Sequence, residues 1–163
     1  MVPIVVMGVA GCGKSTVGRA LADRLGVPYA EADDFHPPAN VAKMHSGVPL
    51  TDEDRAPWLA AIAASMTDGG LVVSCSALKR AYRDVLRGGN PQAFFVHLVL
   101  SPETATARVS GRAGHFMPST LVASQFAILE PLRPEENGVG IDATLGVDEI
   151  VAKVISRMPT HRG

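Results

Sequence analysis

The sequence predicts an α/β fold, a parallel sheet covered by helices on both faces, formed as a single domain over residues 1–163. Three observations predict it. Short apolar segments alternate with segments of helical spacing along the chain. The apolar segments run without polar alternation, as strands buried on both faces do. A glycine-rich turn joins the first of them to the first helix, and parallel strands need such crossovers, right-handed in nearly all proteins.

The elements follow in order. Residues 2–7 are an apolar run ending at Gly8 and read as a buried strand. From Lys14, Val17, Ala20, Leu21 and Leu25 share a helical face, and Gly26 is the stop. Residues 28–31 form a second short strand, and residues 37–46 a short polar helix. Thr51 and Asp54 have the spacing of a capping box, but Pro57 would clash inside one long helix, so a second helix is expected to start near Pro57. Its inward face is Trp58, Ile62 and Met66, and Gly69-Gly70 end it. Residues 71–75 are a third strand. Ser76 then caps a helix to Arg87, with Leu78, Tyr82 and Val85 toward the core. Residues 94–100 are a fourth strand, and Ser101-Pro102 opens the next helix. Residues 111–118 break the pattern, residues 121–130 are helical, and residues 139–143 are a fifth strand. Val147, Ile150, Val151, Val154 and Ile155 form the apolar stripe of a last helix.

Composition narrows the function classes. The chain has 163 residues, 47% of them hydrophobic and 19% charged, which is a globular composition. Fifteen Lys and Arg against sixteen Asp and Glu leave a net charge of -1, and no extended basic surface with interleaved aromatics appears. A nucleic-acid role is therefore not expected. No apolar run approaches the ~20 residues of a membrane span, and the N-terminus lacks the basic start of a signal peptide. Cys12 and Cys75 are too few for a disulfide framework or a zinc site and fit a reducing, cytoplasmic setting.

The chemistry is carried first by Gly8-Val9-Ala10-Gly11-Cys12-Gly13-Lys14-Ser15, a full G-x-x-x-x-G-K-[ST] match between a strand and a helix. Its glycines let backbone N–H groups wrap phosphate oxygens at a helix N-terminus. Lys14 would reach the β- and γ-phosphates, and the Ser15 hydroxyl would ligate Mg²⁺. These residues and Thr16 are the candidate nucleotide site, with Lys14 also catalytic. The loop indicates a bound nucleoside triphosphate and leaves the reaction open. Cys12 lies where a helix N-terminus and Lys14 would lower a thiol's pKa, and it also suits a small space to be filled.

Glu31-Ala32-Asp33-Asp34 ends the second strand. Two residues apart on a strand face one way, so Glu31 and Asp33 share a side at the sheet edge where ligands bind. One could accept a substrate proton while the other holds metal-bound water; a solvated acidic loop is the plainer alternative. Lys79 and Arg83 are four apart on one helix face, with Lys79 in the first turn, where a cation is unfavourable unless an anion docks there. Arg108, Arg112 and His115 surround the glycine-bearing break at 111–118, which suits a short lid closing over phosphates, with Arg108 and Arg112 as further nucleotide-binding candidates. His36 follows the acids, His97 lies within the fourth strand, and Trp58 belongs to the core or a pocket wall.

These blocks together resemble the gluconokinase family of small P-loop kinases. The resemblance spans residues 5–132. It rests on the phosphate loop, Asp33-Asp34-Phe35-His36-Pro37, Asn40, Lys43-Met44 and the unbroken run of residues 47–59. It continues in Cys75-Ser76-Ala77-Leu78-Lys79, Tyr82-Arg83-Asp84, Leu86-Arg87, Gly114-His115-Phe116-Met117, Ser124-Gln125-Phe126 and Leu129-Glu130. Where the family commonly has Asp-Gly-Asp, this chain has Glu31-Ala32-Asp33, which keeps the second acid; Cys12 replaces a more usual Ser or Ala.

The resemblance implies a three-layer P-loop kinase fold with strand order 2-3-1-4-5, ATP and Mg²⁺ as cofactors, and a homodimer. The implied reaction is phosphorylation of D-gluconate at its 6-hydroxyl. A linear polyol acid asks for cations at its carboxylate, which Arg55, Lys79 and Arg83 would supply. Along its length Asp33, His36, His115 and Gln125 would provide hydrogen bonds. Asp33 is the expected catalytic base, and Ser15 and Glu31 the expected metal side. The alternatives are a shikimate-kinase-like enzyme for another hydroxy acid, and a nucleotide-binding module that catalyses little.

Overall fold

The computed structural model describes residues 2–48, 50–110 and 119–159. The strands are β1 (Ile4–Met7), β2 (Tyr29–Glu31), β3 (Val72–Ser74), β4 (Phe94–Val99) and β5 (Gly138–Asp142). All pairings are parallel and the order is β2-β3-β1-β4-β5, as the resemblance implied. The helices are α1 (Lys14–Leu25), α2 (Pro38–His45), α3 (Asp52–Ser65), α4 (Arg80–Gly89), α5 (Pro102–Ser110), α6 (Ser119–Ile128) and α7 (Val147–Arg157).

Strand β1 shows why the sheet is covered twice. Successive side chains on a strand point to opposite faces. Ile4 and Val6 pack with Val17 and Leu21 of α1 and Ile150 and Val154 of α7. Val5 and Met7 pack with Trp58 and Ile62 of α3 and Tyr82 and Leu86 of α4. With both faces buried, no polar alternation is possible, which explains the continuous apolar strands. Helix α1 sits close to the sheet because residue 18 is glycine: a Cβ there would lie 2.6 Å from Ser74 Oγ and from the Tyr29 ring.

Several local expectations are corrected. Pro57 lies inside α3 and does not start a separate helix. Thr51 and Asp54 form a complete capping box that starts the helix at Asp52. Continuing through Pro57 forfeits one N–H donor, and burial of Trp58, Leu59, Ile62 and Ala63 beyond it offsets that loss. Helix α4 starts at Arg80, four residues after Ser76; Lys79 is its N-cap in extended conformation, not a first-turn residue. Val85 is exposed rather than core-facing. After β2 the chain turns into a short 3₁₀ helix, Ala32–Phe35, so Glu31 and Asp33 are not two positions of one strand.

Candidate active site

The phosphate loop runs between β1 and α1, and Gly13 caps the helix with φ +92°, a conformation glycine adopts freely. Gly8 is required for packing, since a Cβ there would stand 2.7 Å from Cys12 Sγ. Lys14 Nζ donates to the carbonyls of Gly8 (3.0 Å) and Val9 (3.2 Å), which holds the ammonium over the loop. Arg108 braces the same loop from α5, donating to Gly11 O and Ala143 O, both at 3.2 Å. A cavity of about 310 Å³ opens here. Ala10, Gly11, Gly13, Lys14, Ser15 and Thr16 line its loop side, and Glu31 and Asp33 stand among its other walls. The Glu31 carboxylate accepts from the Tyr29 hydroxyl at 2.7 Å and lies 3.6 Å from Arg19. Cys12 is buried, and burial raises its thiol pKa more than the Lys14 charge lowers it. Of the two readings of Cys12, its burial supports the space-filling thiol.

A second cavity of about 220 Å³ adjoins the first. Its walls include His36, Arg55, Trp58 and Tyr82. His36 stacks on Trp58 with ring centroids 4.4 Å apart and an 11° interplanar angle, and Trp58 Nε1 donates to Ala32 O at 2.6 Å. Burial lowers the His36 pKa, which favours the neutral ring; Asp33 opposes that shift and Arg55 adds to it. Arg55 Nη1 lies 3.3 Å from Asp52 Oδ1 and 3.2 Å from the Tyr82 hydroxyl.

Asp33, Ser76 and Gln125 line both cavities. They mark the place where a group held over the phosphate loop meets a group held by the second cavity. Gln125 has its carbonyl committed to the loop, accepting from Ala10 N at 2.6 Å, so its amide nitrogen is the part left for a ligand.

The expected residues are thus divided. Asp33, His36, Arg55 and Gln125 come together in the second cavity, whereas Lys79 does not line it and stands 5.5 Å from the centroid of the Tyr82 ring and 3.8 Å from Asp52. Arg83 is corrected: its side chain is 0% exposed and paired with Glu136 at 2.8 Å. It also donates to the carbonyls of Ala77 (2.9 Å) and Leu78 (3.3 Å). The four-residue spacing to Lys79 misled because Lys79 precedes the helix, so the two share no helical face. Arg112, His115 and the 111–118 lid lie outside the described residues.

Asp52, Ser76 and Tyr82 were not expected at the site. Ser76 carried a cap signal that explained it locally, Tyr82 fitted an apolar helix face, and Asp52 lay between the capping-box residues Thr51 and Asp54 with no signal of its own. The block 47–59 was the one signal that could have drawn attention to Asp52.

The shikimate kinase family model matches residues 10–156. A gluconokinase of Gluconobacter oxydans is 45% identical over 93% of this chain and 88% of its own. The thermosensitive gluconokinase of Escherichia coli is 43% identical over 85% of this chain and 77% of its own. The chain belongs to the gluconokinase family. It is accordingly a phosphotransferase. A gluconokinase crystal structure from Sinorhizobium meliloti superposes with a TM-score of 0.89 at 47% identity, covering 96% of this chain and 91% of that one. A shikimate kinase from Acinetobacter baumannii superposes at 0.62 with 19% identity, and that likeness is one of fold alone.

Proposed function

We propose that this gluconokinase-family chain transfers the terminal phosphoryl of ATP to the 6-hydroxyl of D-gluconate, releasing ADP and 6-phosphogluconate. The observation that carries the reading is the shared wall of the two cavities. Asp33 stands in that wall, while Arg55 stands in the acceptor cavity with an unspent guanidinium edge. A linear acid with its carboxylate at Arg55 would present its far end toward Asp33. The second reading, a shikimate-kinase-like enzyme, is not favoured by relatives at 39–45% identity that carry the gluconokinase name.

Each residue has a stated task. The loop amides and Lys14 hold the phosphates and balance their charge. Asp33 orients the acceptor hydroxyl and takes its proton, and positioning supplies most of the rate in this chemistry. His36, fixed against Trp58, offers a hydrogen bond to the polyol. Ser15 and Glu31 line one cavity and are hard oxygen donors, which suits Mg²⁺ held partly through water. When bound, the ion neutralises phosphate charge.

We further propose that residues 1–163 act as one domain with a lid at 111–118, that Arg112 and His115 act from it, and that the protein works in the cytoplasm as a homodimer. Among the described residues no helix is long and apolar enough to cross a membrane.

ADP release with ATP, Mg²⁺ and a panel of gluconate, glucose, shikimate and nucleoside monophosphates tests the reaction. Gluconate should exceed glucose strongly, since glucose lacks the carboxylate that Arg55 recognises; equal rates would reject the assignment. Asp33→Asn should cut kcat by about 10²–10⁴-fold with ATP affinity little changed. Near-normal turnover of the folded variant at saturating gluconate would remove Asp33 from this role.

A further inference from the structure

Four side chains meet beside the acceptor cavity. Asp52 and Arg55 come from the start of α3, Lys79 is the N-cap of α4, and Tyr82 follows it on α4. The Tyr82 hydroxyl donates to Asp52 Oδ1 at 2.7 Å and accepts from Arg55 Nη1 at 3.2 Å. Arg55 Nη1 is 3.3 Å from the same Oδ1, and Lys79 Nζ is 3.8 Å from Oδ2. Both cations stand over the Tyr82 ring, at 5.6 Å for Arg55 and 5.5 Å for Lys79. Arg55 and Tyr82 line the acceptor cavity, and Asp52 does not. One carboxylate outside the cavity thus gathers two groups of its wall and the lysine that stands over one of them.

Folding energy does not account for this convergence. The Asp52 side chain is 69% exposed, and exposed ion pairs add little stability. The effect of the cluster is on direction. A free arginine has many rotamers, and ordering it on binding costs affinity; an arginine already held does not incur that cost. Arg55 commits Nη1 to Asp52 and Tyr82, and its Nη2 and Nε make no hydrogen bond among the described residues. That leaves a guanidinium edge of the shape that takes a carboxylate through two parallel bonds.

We propose that Asp52 is a positioning residue that sets specificity for a carboxylate-bearing acceptor. It holds Tyr82, Arg55 and Lys79 as one donor face, so that the open edge of Arg55 meets the acceptor's carboxylate. The inference rests on the function proposed above and adds to that site a residue lying outside the cavity wall.

The test is steady-state kinetics with ATP and gluconate on wild type, Asp52→Ala, Asp52→Asn, Tyr82→Phe and the Asp52→Ala/Tyr82→Phe double variant. The KM for gluconate should rise about tenfold in Asp52→Ala, the loss expected when a charge-assisted contact is disordered. The kcat and the KM for ATP should stay within about twofold, since the carboxylate is remote from the reacting hydroxyl. Asp52→Asn should recover most of the loss, because its amide oxygen still accepts from Tyr82 and Arg55. The double variant should be no worse than the poorer single one, the signature of two groups acting as a unit. An unchanged gluconate KM in Asp52→Ala overturns the inference. So does a parallel change in kcat, both KM values and Tm, which would mean damage to α3. Wild type inert toward gluconate overturns the function and this inference together; active wild type with an unaffected Asp52→Ala overturns the inference alone.

Discussion

Two arginine clusters flank the loop between β3 and α4, and they use the same groups to opposite ends. In one, Arg83 and Arg87 bind Glu136, with Arg83 and Glu136 almost wholly removed from solvent. In the other, Arg55 and Lys79 gather around an exposed Asp52 beside a cavity. Within the buried cluster Arg83 is saturated, spending its donors on Glu136 and on the carbonyls of Ala77, Leu78 and Pro131, while Arg87 pairs through Nη2 and leaves its buried Nη1 without a partner among the described residues. Ala77 has φ +44°, unusual for a residue with a Cβ, and the arginine anchors the loop that holds it there. The exposed cluster keeps donors unspent. A buried, fully paired Arg83 makes a brace for the site's backbone, while the exposed, partly paired cluster is the anion receptor proposed above.

The largest expected effect comes from breaking the brace. Arg83→Met leaves Glu136 buried with less compensation, so stability should fall by about 3–5 kcal/mol. That corresponds to a drop of roughly 10 °C in Tm, read by calorimetry. Replacing both partners, Arg83→Met with Glu136→Gln, should cost less than Arg83→Met alone, because no buried carboxylate is then stranded and Arg87 keeps Asp84 at 2.7 Å. A double variant worse than the single one would contradict the brace.

The receptor should respond differently. Arg55→Met should lower kcat/KM for gluconate by about 10–100-fold, the worth of a charge-assisted contact, with Tm nearly unchanged. A large Tm loss without a kinetic change would reverse the comparison.

Acid provides the gentlest probe. Burial pushes the Glu136 carboxyl upward, but hydrogen bonds from Arg83, the Arg133 amide and Arg87 outweigh it and hold the pKa at about 2, below the ordinary 4.5. A carboxyl depressed on folding stabilises above its unfolded pKa and loses that contribution as pH falls. Thermal stability should therefore decline from pH 4.5 toward 2, and Glu136→Gln should flatten that slope. An equal slope in the variant would assign the acid loss to other carboxylates.

The sequence by itself determined the sheet, its helices and the phosphate loop. Those signals are local: apolar runs, glycines at a strand-to-helix turn, and a Lys-Ser pair opening a helix. It also determined that Asp33, His36, Arg55 and Gln125 deserved attention, through ordered blocks that resemble a known family. Tertiary structure decided which cations face a ligand. Lys79 and Arg83 look equivalent at four-residue spacing, and only the start of α4 at Arg80 and the return of Glu136 to its side separate them. Structure also decided that Glu31 and Asp33 share a cavity across a 3₁₀ turn and not along one strand. Asp52 shows the same limit: the capping box of Thr51 and Asp54 around it is complete in four residues, while its contact with Tyr82 joins positions thirty apart. Hydrophobic spacing is written in the chain because each residue contributes to it alone. The pairing of a charge depends on which distant segment returns to it, and that is fixed when the layers pack.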